Sequence, residues 1–162
     1  MNKLLILILI FLPTFSYANA SIEEKLFVEV NDAIFILGQR VKVCKEIESQ
    51  NKPNNKTIEF VKNRLEKLAP ILAYLNYLAI ERCSFSEKTN LAYSLLIAKN
   101  NTQRLTTLEL IKATEKLNFV LDKASQSRFD ALNPELKEYL LKSAFFSKPF
   151  NVLELYELAS TM

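Results

Sequence analysis

Histidine and tryptophan are absent from the 162 residues, and glycine occurs once, at Gly38. Without histidine there is no Ser-His-Asp or Cys-His arrangement, and the most common ligand for zinc and haem is missing. Two cysteines alone cannot close a zinc site. Aspartate is confined to Asp32, Asp122 and Asp130, far apart in the chain, and no D-x-[DN]-x-[DN]-G loop is present to hold calcium. No catalytic set, metal site or cofactor is therefore expected.

The scarcity of glycine excludes further classes. All-β folds need frequent tight turns, and those turns use glycine where φ must be positive. Phosphate-cradling loops need glycines so that the backbone can approach the ligand. Neither requirement can be met here. Charge of one sign is also lacking, with 21 basic residues against 18 acidic ones. Lysines and glutamates alternate without forming a basic block, so nucleic acid is not an expected partner.

The first twenty residues carry a different pattern. Lys3 is followed by the apolar run Leu4–Leu12, then Pro13, then a small and polar stretch ending Ala18-Asn19-Ala20. A basic start, a short apolar core and an A-x-A site form the pattern of a cleavable secretory signal. The run is about half of the roughly 20 residues that a membrane span requires. The expectation is a signal peptide over 1–20 and a mature domain over 21–162, exported to the bacterial periplasm or secreted. No stable membrane span is expected after cleavage. Loss of Lys3 leaves 20 basic and 18 acidic residues, a charge near neutrality.

Beyond Ala20 the apolar spacing is helical. Leu26, Val30, Ala33, Leu37, Val41 and Cys44 form one stripe. Phe27, Val28, Ile34, Phe35 and Ile36 are read as widening it, which makes this helix central. The polar stretch Asn51–Lys56 ends it, with Thr57 as the cap of the next. There Val61, Leu65, Leu68, Leu72, Leu75 and Ala79 alternate at spacings of four and three. Ser86 is read as the cap of a short helix bearing Leu91, Leu95 and Ala98. Thr106 or Thr107 opens another, with Leu110, Ala113, Leu117, Val120 and Leu121 inward. SQSR (Ser125–Arg128) reads as a linker, and Asn133-Pro134 as a cap followed by proline at the first helical position. Leu136, Tyr139, Leu140 and Ala144 belong to the helix that follows. Asn151 caps a last one with Leu155 and Leu158. The fold class is all-α, a single-domain bundle of five or six helices.

Cys44 and Cys83 are the only cysteines. In a chain bound for an oxidising compartment such a pair reads as a disulfide. Geometry attaches a condition to it. In a plain hairpin of two long helices, Cys83 lies about 30 Å from Cys44 at ~1.5 Å per residue, whereas a disulfide needs Cα atoms within about 7 Å. Either the bond is absent or the chain bends back near Pro70. The unbroken phase of Leu65, Leu68, Leu72 and Leu75 argues for a kinked continuous helix instead, and sequence leaves the two open.

Paired glutamates at Glu23/Glu24, Glu46/Glu48, Glu135/Glu138 and Glu154/Glu157 are the one arrangement with catalytic potential. Each sits beside lysines on a helix, and solvated surface with local ion pairs is the simpler reading. The chain is not expected to be an enzyme. Aromatic residues offer the remaining clue. Phe145, Phe146 and Phe150 cluster before the last helix; the simpler reading is that they seal the core where short helices cross, and Phe150 and Tyr156 are the best candidates for a partner-facing patch. The fragment LNPELKEYL (Leu132–Leu140) resembles the L-T-x-x-Q repeats of Spy-like periplasmic chaperones. It lacks the threonine and glutamine, occurs once, and so implies no family. The expectation is an exported helical protein that binds another protein, as an inhibitor, immunity protein or secretion-apparatus component. The alternative is a sensor or carrier of a small apolar ligand held between helices.

Overall fold

The computed structural model describes residues 2–115 and 123–161, with side chains from residue 22 onward. Among these residues there is no strand. Eight α-helices have eight or more residues: α1 (Asn2–Gln50), α2 (Asn55–Lys62), α4 (Leu72–Cys83), α5 (Phe85–Asn101), α6 (Leu105–Glu115), α7 (Lys123–Asp130), α8 (Pro134–Lys142) and α9 (Val152–Thr161). Between α2 and α4 come one turn of helix, α3 (Leu65–Leu68), and a 3₁₀ turn at Ala69–Ile71. The all-helical class is as expected, but eight helices replace the five or six read from periodicity. Leu117, Val120 and Leu121 lie outside the described residues, as do the side chains of residues 1–21. Among the described residues no helix is long and apolar enough to cross a membrane.

The excess helices come from two places where a local rule was misjudged. Ser125–Arg128 is not a linker but the centre of α7, where Ser125 and Phe129, four residues apart, are both buried. Polarity hid that helix, because a buried serine satisfies its hydroxyl by donating to the Pro70 carbonyl at 2.9 Å. The second place is the stretch before Pro70. Arg64 leaves helical geometry with φ −136°, and Pro70 stands at the start of the 3₁₀ turn. Proline suits the first turn of a helix, where its missing N–H is not needed. The chain therefore breaks here, although Leu65, Leu68, Leu72 and Leu75 keep their phase.

Caps account for most boundaries. Asn54, not Thr57, caps α2, accepting from the Thr57 N–H at 2.9 Å. Asn133 caps α8 through the Leu136 N–H at 2.8 Å, with Pro134 at the first helical position. Asn151 accepts from the Glu154 N–H at 3.1 Å at the start of α9. Ser86 lies inside α5 and Ala144 lies beyond α8. The one glycine, Gly38, is inside α1 with ordinary helical φ, so no turn depends on it.

The chain divides into two compact units, the first made of Met1–Ile36 and Glu87–Asn118, the second of Leu37–Ser86 and Phe119–Met162. In the first unit, Leu26 and Val30 of α1 are buried with Ala98 and Ile111, and Ile34, Leu95, Ile97 and Leu110 pack against them half-buried. Ala113, expected inward, is exposed, and α6 instead turns Thr107 and Ile111 to the core. The second unit has a larger apolar core drawn from α2, α3, α4, α7, α8 and α9, including Val61, Leu68, Leu72, Leu75, Leu140 and Leu155. Full burial of each such side chain stabilises by roughly 1.5–3 kcal/mol.

Candidate partner-facing surfaces

Cys44 and Cys83 are joined, with Cα atoms 6.0 Å apart. The break between α2 and α4 is what allows this, since it returns the end of α4 to α1. One turn earlier on α1, Arg40 donates from Nε to the Cys83 carbonyl at 2.6 Å. The C-terminus of α4 thus has a cation on one of its last carbonyls. A covalent bond and a charged hydrogen bond fix the same residue.

Phe150 is not available to a partner. It is fully buried, with its ring centroid 5.1 Å from that of Phe145 and 5.5 Å from that of Phe146. Its N–H donates to the Asn76 side chain at 2.9 Å. Asn51, just past α1, donates to the carbonyls of Phe145 at 2.9 Å and Pro149 at 3.1 Å. Lys148-Pro149 lies inside the segment between α8 and α9, and carbonyls of that segment are taken up by Asn51, which lets three aromatic rings enter the core.

Tyr156 is 42% exposed, and on the same face of α9 Leu153 is 71% exposed. The opposite face of α9 carries Leu155 and Ala159, both buried. The helix start is held by Asn151 and by an ion pair at 2.7 Å between Lys52 and Glu154. Leu153 was missed in sequence because Leu155 and Leu158 explained the stripe. An apolar residue three positions before an outward tyrosine was the available signal.

Helix α1 differs most from its reading. The stripe of Leu26, Val30, Ala33, Leu37, Val41 and Cys44 is buried or half-buried. Val28, Phe35 and Ile36, read as a widening of that stripe, are exposed, Phe35 by 66%. At about 100° per residue they fall on the other side of the helix. A helix apolar on two sides is buried on both or presents one to something outside the fold.

The glutamate pairs do not form carboxylate dyads. Glu23 accepts from the Thr102 hydroxyl and from the Gln103 N–H, the latter at 2.7 Å. These bonds, the Gln103 amide first, hold its carboxyl below the usual carboxylate range. Glu24 pairs with Arg104, whose guanidinium also lies over the Phe27 ring at 5.4 Å. Glu138 pairs with Lys142 one turn on. Glu23, Glu24 and Glu154 are thus long-range ties, where sequence suggested local pairs. A shallow, open depression beside α8 is lined by Glu135, Glu138, Tyr139, Lys142, Ser143 and Ala144. Glu135, Glu138 and Lys142 bring charge to it, and Tyr139 and Ala144 apolar surface. Among the described residues no three potential ligands of the His, Cys, Asp or Glu types gather as a metal site would require.

No family model matches this chain, and no curated protein or solved structure is significantly similar to it.

Proposed function

We propose that the chain is an exported interaction protein of the bacterial periplasm whose mature part, residues 21–162, binds another protein through the outward face of α9. The observation that carries this reading is the pair Leu153 and Tyr156, exposed side by side on a helix whose other face is locked into the core. Tyrosine and leucine presented on a rigid helix lose little freedom on binding, and tyrosine is among the residues that dominate interface energies. A partner occluded by such a face would be inhibited or neutralised without chemistry, in keeping with an inhibitor or immunity protein. A secretion-apparatus component would use the same surface as a bridge.

A photo-crosslinking residue at Leu153, expressed in the native host, tests this. The expected result is one discrete adduct in the exported fraction, lost on Tyr156→Asp and not formed from the same residue at Lys45. The attached chain should begin at Ser21. Absence of an adduct from Leu153, or equal adducts from both positions, rejects α9 as the binding face. A chain retaining Met1 in the membrane fraction rejects export.

A further inference from the structure

We infer that the first turn of mature α1 is a latch whose closure on the start of α6 shields the Ala20–Ser21 bond, so that the signal segment has to be removed before the first unit closes. The inference rests on the export reading above. Every residue of the latch belongs to the first unit. Helix α1 runs without a break from Asn2 to Gln50, so the Ala20–Ser21 bond lies inside it. A helical peptide bond has its N–H and C=O tied to groups one turn away. A peptidase therefore reaches it only in the fraction of molecules that is locally open.

The ties that hold this stretch closed begin at the third residue past the bond. Glu23 accepts from the Thr102 hydroxyl and from the Gln103 N–H, the latter at 2.7 Å. Thr102 is buried, and its hydroxyl oxygen also accepts from the Arg104 N–H at 3.2 Å. Glu24 pairs with the Arg104 guanidinium, which lies over the Phe27 ring at 5.4 Å. One turn on, Leu26 and Val30 are buried in the core of the unit. Extending the chain through Ser21 into a peptidase cleft pulls directly on the Glu23 and Glu24 contacts, so these set how often the bond opens. Hydrolysis adds one water across the bond and leaves a carboxylate on Ala20 and an ammonium on Ser21. The sequence suits that new end. Ser21 and Glu24 have the S-x-x-E spacing of a capping box. Glu23 and Glu24 then fall in the first turn of the shortened helix, where negative charge is favoured. In the uncleaved helix the same glutamates are interior and gain neither benefit.

The test is cleavage of the full-length, disulfide-bonded precursor by a purified bacterial signal peptidase in detergent micelles. The reference is a synthetic peptide of residues 1–30, which has no α6 to close on. The peptide should be cut between Ala20 and Ser21. The precursor should be cut at least about tenfold more slowly, the factor that a single charged hydrogen bond supplies. Thr102 and Arg104 lie 79 and 80 residues from the glutamates they hold, so substituting them leaves the segment that the peptidase reads unchanged. Arg104→Ala and Thr102→Val should each speed cleavage of the precursor toward the rate of the peptide, with circular dichroism unchanged. Thr102→Val keeps the shape of the buried side chain, so it decides the matter if Arg104→Ala perturbs the fold. A wild-type precursor cut as fast as the peptide overturns this inference alone, as does a slow precursor that Thr102→Val fails to speed. A peptide left uncut between Ala20 and Ser21 removes the export reading, and this inference with it.

Discussion

The two units are held together by different physics. The Leu37–Ser86 and Phe119–Met162 unit carries a disulfide, a phenylalanine triad and a continuous apolar core. The Met1–Ile36 and Glu87–Asn118 unit buries Leu26, Val30, Ala98 and Ile111, and otherwise depends on charged ties to residues 102–104. Apolar burial and a covalent bond are neither screened as charges are nor titrated in mild acid. Ion pairs and carboxylate caps are sensitive to both. The second unit is built to be rigid, and the face of α9 on which function is proposed belongs to it. The first is built from interactions that solution conditions can adjust.

The largest expected effect comes from removing the bond that sets the second unit apart. Closing a loop of 39 residues contributes on the order of 4 kcal/mol in the chain-entropy model. That is a large part of the ~5–15 kcal/mol expected of a domain. Reduction, or Cys83→Ser, should therefore lower the melting temperature of the second unit steeply. Differential scanning calorimetry with and without reductant measures it. A melting temperature unmoved by reductant would mean that Arg40 and the apolar core suffice, and the contrast between the units would shrink to core size alone.

A smaller effect should come from improving the weaker core. Thr107 is fully buried beside Ile111 on α6, and its hydroxyl has no hydrogen-bond partner. A buried unpaired hydroxyl costs about 1–3 kcal/mol. Thr107→Val keeps the shape and removes the hydroxyl, so it should stabilise the first unit by about 1 kcal/mol. Urea denaturation followed by a probe in α6 checks this, and a destabilised variant would show that the hydroxyl is satisfied in solution.

What could be read in the sequence follows the same division. The second unit was legible where burial was purely apolar: Val61, Leu68, Leu72, Leu75 and Ala79 face inward as their spacing required. The disulfide was legible from composition, and its geometric condition pointed to the region of Pro70, where the chain does turn. Helix α7 was not legible, because periodicity searches for apolar residues and its buried pair includes a serine. Phe150 could be read as core or as partner surface from its cluster alone, and what decides it is Asn51, distant in sequence, which supplies donors to the carbonyls around it. On α1 the two apolar faces were merged, since a sequence window counts apolar residues without showing that only one side meets a neighbour. Long-range hydrogen bonds account for most of these differences.

The smallest expected effect concerns Glu23, and it separates the units by pH. Glu23 accepts the Gln103 N–H just before α6, so its negative charge stands near the positive end of that helix dipole. The Gln103 amide, then the Thr102 hydroxyl, hold its carboxyl below the ordinary value of 4.5. A carboxyl whose pKa is lower folded than unfolded binds fewer protons when folded. Its contribution is therefore complete above the unfolded value and is lost as pH falls through the folded one. Between neutrality and pH 5 neither unit should change on this account. Below about pH 4.5 the first unit should loosen around residues 102–104, while the disulfide and the Phe145–Phe146–Phe150 cluster of the second contain no carboxylate and take no part in this step. The amide proton of Gln103, followed by NMR, should titrate with a midpoint below 4.5 and lose that titration in Glu23→Gln. The Phe150 amide, bonded to the neutral side chain of Asn76, should show no such step. A Gln103 midpoint at or above 4.5 would mean that the Glu23 contact is not maintained in solution, and the charged ties would no longer distinguish the first unit from the second.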